Sequence, residues 1–137
     1  MPVKHTVLQG GHLVAERYRG AISHEELISH VKEILLDSSI APRANSISDC
    51  RFATFPETTA ENIHELSDLH GEPENRTSFN RLAIVISGEG FSTARMFEAQ
   101  VKKYAVDILV FSGFDVACAW LGIDPGETLR ALDELGI

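Results

Sequence analysis

Arg81-Leu-Ala-Ile-Val-Ile-Ser87 and Val106-Asp-Ile-Leu-Val-Phe111 are nearly continuous apolar runs. Between them, Gly90-Phe-Ser-Thr-Ala-Arg-Met-Phe-Glu-Ala-Gln-Val-Lys-Lys-Tyr-Ala105 has helical periodicity. Apolar runs of this kind belong to strands buried on both faces, and a helix of this length is the usual crossover between parallel strands. Toward the N-terminus, residues 4–9 and 12–19 read as two further strands. Gly10-Gly11 lies between them and suits a two-residue hairpin turn, because both positions accept positive φ. In the second of these strands Leu13, Ala15 and Arg17 alternate with Val14, Glu16 and Tyr18, so its two faces are not cleanly separated.

Ser23 opens a helix, and Glu26 three residues later completes a capping box. Leu27, Ile28, Val31, Ile34 and Leu35 fall within one apolar arc of that helix. Residues 45–50 form a short third strand that carries Asp49 near its end. Thr58, with Glu61, caps a helix running to about His70, followed by a solvated loop over residues 71–78. The apolar stripe of that helix is thin: Ala60, Ile63, Leu66 and, to one side, Leu69. A helix that buries few large side chains has little tertiary free energy holding it, so residues 59–70 are expected to be the most mobile part of the fold. Farther on, Ser112 or Asp115 caps a short helix ended by Gly122. Asp124 caps the last helix, with Pro125 in its first turn, Glu127 three residues after the cap, and an apolar seam of Leu129, Leu132 and Leu135. The order β-β-α-β-α-β-α-β-α-α defines an α/β fold. A β-hairpin is followed by alternating helices and strands, giving a mixed five-stranded sheet with helices packed on it.

The chain of 137 residues reads as one domain, with an apolar content of 44% that is ordinary for a globular protein. Its net charge is −8, and residues 57–74 hold six acids with no lysine or arginine. Phosphate backbones require clustered cations, so nucleic acid is not an expected partner. Anionic membrane surfaces need a polybasic patch, so the charge does not support peripheral membrane contact through this region either. No apolar run is long enough to span a bilayer. The first residues lack a signal-peptide core, and two cysteines, Cys50 and Cys118, make no disulfide framework. These features set the expectation of a reducing cytoplasm.

Several of these segments resemble the bacterial SpoIIAA-like family, stand-alone domains with the fold of STAS regulators. The resemblance rests on Arg81-x-Ala83-Ile-Val, Phe91-x-x-Ala94-Arg95-Met96-Phe97-Glu98, Val110-Phe111 and Ala117-x-x-Trp120-Leu121-Gly122. Arg19-Gly-Ala-Ile-Ser-His-Glu-Glu-Leu27 and Asp49 at a strand end also match. Together these cover roughly residues 10–122. The resemblance implies the STAS-like fold, and roles in binding apolar or lipid-like ligands or in membrane association. In one respect the chain departs from the anti-sigma antagonists: Asp49 is followed by Cys50-Arg-Phe-Ala-Thr-Phe, without the serine that carries their phosphoswitch. Thr54, Thr58 and Thr59 are the remaining phosphorylatable positions, and two of these are explained as helix caps.

No catalytic constellation can be named, so an enzyme is not the expected class, and no cofactor is implied. His24/His30 and His64/His70 are each six residues apart, the wrong spacing for a shared metal on one helix face. Cys50 lies beside Arg51, but no histidine is near it in sequence. The strand-to-helix turn at residues 88–95, with Arg95 one turn in, has the form of an anion site, opposed by Glu89. On the same helix Phe91, Ala94, Phe97, Val101 and Ala105 point inward. Met96 is thereby placed on the polar side as an interaction surface. Trp120 belongs either to the core or to a cavity wall.

The leading expectation is a non-enzymatic module that binds an apolar small molecule or lipid between the sheet and the helix of residues 59–70. Phe52, Phe55, Ile63, Leu66, Phe79 and Trp120 would line the site, with Asp49 nearby and Arg51 or Arg95 meeting a polar head group. The alternative is a protein-interaction domain in the manner of STAS regulators. A homodimer is compatible with both.

Overall fold

The computed structural model describes residues 2–137. Among them, β1 (Val3–Leu8), β2 (Leu13–Ala21), β3 (Asn45–Thr54), β4 (Arg81–Val85) and β5 (Asp107–Phe111) form one sheet in chain order. β1 runs antiparallel to β2, and β2 through β5 are parallel to their neighbours. The helices are α1 (His24–Leu35), α2 (Ala60–Asp68), α3 (Gly90–Val101), α4 (Phe114–Leu121) and α5 (Pro125–Asp133). The expected mixed sheet of five strands, with a hairpin followed by alternating helices and strands, is therefore present.

Strand alternation sorts the core into two layers. Leu82 and Ile84 of β4 join Val14, Tyr18, Leu27, Ile34 and Ala94 on the face covered by α1 and α3. Ala83 and Val85 join Leu13, Ala15, Ile47, Phe114, Ala117 and Leu132 on the face covered by α4 and α5. A sheet covered on both sides buries both parities of each central strand. That explains why the faces of β2 are not separable by polarity.

Local sequence accounts for most boundaries. Ser23 accepts a hydrogen bond from the Glu26 amide at 3.1 Å, and the Glu26 carboxylate accepts one from the Ser23 amide at 2.9 Å. Asp124 likewise accepts from the Glu127 amide at 2.8 Å, with Pro125 at the first helical position.

Four local expectations are corrected. The first hairpin turns through four residues, Gln9 to His12, because Gln9, Gly10 and Gly11 all have positive φ and pairing resumes at Leu8–Leu13. A Cβ on Gly11 would lie 2.7 Å from the Ser39 carbonyl oxygen, so this position requires glycine. The N-cap of α2 is Thr59, which accepts from the Asn62 amide at 3.1 Å, while the Thr58 hydroxyl donates to the Phe55 carbonyl. The residue that caps α4 is Gly113, with no side-chain cap from either Ser112 or Asp115. Finally, α3 gives way to a 3-10 turn at residues 102–104, and Ala105 leaves it with φ of 61°, exposed rather than inward.

β3 is also longer than expected and irregular. Arg17 pairs with Asp49, but Arg19 pairs with Phe52. Two residues of β3, Cys50 and Arg51, thus stand opposite the single Tyr18 of β2. This is a β-bulge, and it reverses the parity of everything after it. Ser46, Ser48 and Cys50 face the α1–α3 layer before the bulge, and Ala53 faces the same layer after it.

Candidate functional site

Between the sheet and helices α1, α2 and α3 lies a cavity of about 620 Å³. Its floor is the α1–α3 face of the sheet: Tyr18, Ser46, Ser48, Leu82 and Ile84. Leu27, Val31 and Ile34 of α1 form one wall, and Gly90, Thr93, Ala94 and Phe97 of α3 form the other. Ile63 and Leu66 of α2 close the top, with Phe55 and Phe79 at the flanks. α2 rests on α1 and α3, and its thin stripe has a physical reason: what lies beneath it is open space rather than a strand.

A buried carboxylate stands in this largely apolar enclosure. Glu16 Oε2 accepts from the Tyr18 hydroxyl at 2.9 Å and lies 2.8 Å from His30 Nε2. Glu16 Oε1 accepts from Ser48 Oγ at 2.9 Å and from Ser46 Oγ at 3.3 Å. Burial works to raise the Glu16 pKa, but the bond and charge of His30, with the Ser48 and Tyr18 bonds, outweigh it and hold the pKa below its ordinary value. Burial likewise opposes a charge on His30, and the Glu16 carboxylate outweighs it, so the His30 pKa is raised. The two form a hydrogen-bonded ion pair that ties α1 to β2.

His70, in the 3-10 turn after α2, is the second polar group of the cavity. Its ring is edge-on to Phe97 at 5.8 Å, and burial lowers its pKa to about 4, so it is neutral at pH 7. Among the described residues it has no hydrogen-bond partner. Neither Glu16 nor His70 is singled out by the sequence reading. The available signals were an acid sharing parity with Val14 and Tyr18, two serines flanking Ile47, and a histidine, His30, on the arc of Leu27 and Ile34.

The anticipated lining residues divide into two groups. Phe55, Ile63, Leu66 and Phe79 come together around the cavity. Asp49, Arg51, Phe52, Arg95 and Trp120 do not line it. Asp49 points to the α4–α5 side, where Arg17 Nε and Arg51 Nε reach it at 3.2 and 2.8 Å and Arg17 continues to Asp133 at 2.7 Å. Burial raises the Asp49 pKa, but the Arg51 guanidinium outweighs it and holds the carboxyl below its ordinary value. Phe52 is 47% exposed, beyond the bulge, with the guanidinium groups of Arg17, Arg19 and Arg51 over its ring. Arg95 pairs with Glu98 at 3.1 Å. Trp120 packs on Phe111 and under Arg81 on the α4–α5 side, which resolves the choice between core and cavity wall in favour of neither: it is half-buried at the edge of the second layer. Met96 is 49% exposed on the polar side of α3, as its position requires. Cys50 faces the cavity, but burial and the nearby Glu16 and Asp49 charges push its thiol pKa well up, which removes thiolate character.

A search of solved structures places this architecture. An uncharacterized protein of the DUF3478 family from Shewanella loihica, with a SpoIIAA-like fold, superposes with a TM-score of 0.53 at 18% identity. The match covers 87% of this chain and 93% of that one. The fold is SpoIIAA-like. At this identity the likeness concerns the fold alone. No protein-family model matches the chain, and no curated protein does. Among the described residues, no helix is long and apolar enough to cross a membrane.

Proposed function

We propose that this SpoIIAA-like chain is a non-enzymatic binding module that takes an apolar or amphipathic small molecule into the cavity beneath α2. The observation that carries this reading is the cavity itself. Its volume of about 620 Å³ falls in the range of small-molecule sites, and mostly apolar walls surround a few convergent polar groups. The ion-paired Glu16, the neutral His70 and the un-ionised Cys50 thiol do not assemble a nucleophile with its base, which fits binding better than catalysis. Two free, buried cysteines suit a reducing compartment such as the cytoplasm.

α2 serves as the lid in this reading, since it bridges two helices and seals little against the sheet. Amide hydrogens of α2 are expected to exchange faster than those of β4. Equal protection of the two elements would contradict a lid.

Native mass spectrometry before and after organic extraction tests the proposal directly. The expected result is a stoichiometric small molecule lost on extraction, and the same native spectra report whether the chain pairs with itself. A second reading, a protein-interaction domain, is favoured by Phe52 and Met96, each about half exposed. The double variant Ile63→Ala, Leu66→Ala separates the two. Opening the roof should reduce uptake of a neutral apolar dye such as Nile red by tenfold or more, at about 1.4 kcal/mol per tenfold, while leaving contacts through α3 intact. Unchanged dye uptake together with lost partner binding would favour the second reading.

A further inference from the structure

We infer that the cavity selects uncharged molecules bearing a hydroxyl group, with His70 taking that hydroxyl, and discriminates against the corresponding carboxylates. The inference rests on the cavity reading and adds the chemistry of the occupant. Three observations carry it.

First, among the described residues no lysine or arginine lines the cavity, whereas Glu16 and Glu89 do. A carboxylate or phosphate carried into this space would lose its water without gaining a cation, and would face the Glu16 charge. Secondly, Glu16 is already saturated. Tyr18, His30, Ser46 and Ser48 supply four donors to its two oxygens, and His30 balances its charge. The floor therefore offers no unmatched negative charge to attract a cationic ligand, and the other lining acid, Glu89, is exposed to water.

Thirdly, His70 is only 9% exposed as a residue, lines the cavity, and among the described residues has no hydrogen-bond partner. Among the described residues no side-chain nitrogen is both fully buried and unpartnered, so the unpaired His70 nitrogens keep some access, and a ligand's polar atom in the half-open cavity can fill that place. With its pKa lowered by burial to about 4, the ring presents one N–H donor and one bare nitrogen acceptor at pH 7. A hydroxyl can satisfy either ring nitrogen, accepting from the N–H or donating to the bare nitrogen. A carboxylate can only accept.

The test is displacement of Nile red at pH 8, using 1-decanol and decanoate as competitors of equal chain length. Decanol should displace the dye at concentrations at least about tenfold lower than decanoate. His70→Phe should weaken decanol about fivefold, the cost of one neutral hydrogen bond, with decanol's affinity taken relative to the Nile red Kd measured separately for each variant. His70→Gln, which retains a donor and an acceptor, should recover most of that loss. Equal displacement by decanoate, or indifference of decanol to His70→Phe, overturns the inference and leaves the cavity reading standing. If the protein takes up neither Nile red nor decanol, the cavity reading itself fails, and this inference with it.

Discussion

Glu16→Ala is expected to lower the free energy of unfolding by about 3–5 kcal/mol, the usual cost of removing one partner from a buried ion pair. The substitution leaves His30, Tyr18, Ser46 and Ser48 aimed at an empty space, each donor having lost its acceptor. Urea denaturation at pH 7 reads the effect as a lower midpoint at unchanged slope. Glu16→Gln keeps the shape and one acceptor oxygen but loses the charge, so it should fall between alanine and the native residue. Adding His30→Leu to Glu16→Leu should recover part of the loss, because the uncompensated histidine is then gone as well. A loss of less than about 1 kcal/mol for Glu16→Ala would mean that water replaces the carboxylate at little cost, and that the pair does not hold α1 to the sheet.

Acidification from pH 6.5 to pH 4 is expected to remove roughly 3 kcal/mol of stability through His70 alone. In the unfolded chain this histidine titrates near 6.5, whereas in the fold burial holds it at about 4. Between those values the unfolded state binds more protons, so stability falls as pH falls. The ion pair adds two further slopes. His30 is raised above 6.5 in the fold, so its contribution is complete below 6.5 and fades as pH rises through the folded value. Glu16 is depressed below 4.5, so its contribution is complete above 4.5 and is lost as pH falls through the folded value. The three together put the stability maximum near pH 6.5, with the steeper side toward acid. Melting curves of the native protein and of His70→Phe, taken from pH 8 to pH 4, check this. The variant should lose the slope between 6.5 and 4.5 and keep the later, Glu16-driven one. An identical acid limb in both proteins would show that His70 is not the group responsible.

What could be read from the sequence, and what could not, follows from whether the determining interactions are local. The apolar runs of β4 and β5, the helix between them and the caps at Ser23 and Asp124 are specified within a few residues, and each is found where its residues place it. Phe55, Ile63, Leu66 and Phe79 were recognisable because large apolar groups flank a helix with too few of its own. Asp49, Arg51 and Phe52 were misplaced for a different reason: the face that a strand residue occupies depends on pairing with β2, and that register shifts at Arg17–Arg19. Trp120 depends on α4 packing on the opposite layer, which no short window reveals. Glu16 was hidden because an acid in a strand ordinarily points to water, and three of its four partners come from α1 and β3, distant in sequence.

The bulge in β3 acts as an inversion point between inside and outside. Upstream, even-numbered side chains supply the cavity's polar floor. Downstream, odd-numbered ones supply Ala53 and the aromatic Phe55. Phe52 is left on the outer surface among three guanidinium groups. Removing Ala53, between Phe52 and Phe55, would turn Phe55 to the outward parity and bring Thr54 toward the cavity side, whereas removing Arg51 would leave Phe52 opposite Arg19. The chemical character of the cavity is therefore encoded in chain length as well as in residue identity. Along this segment the position of a deletion, before or after Phe52, decides whether Phe55 still reaches the cavity.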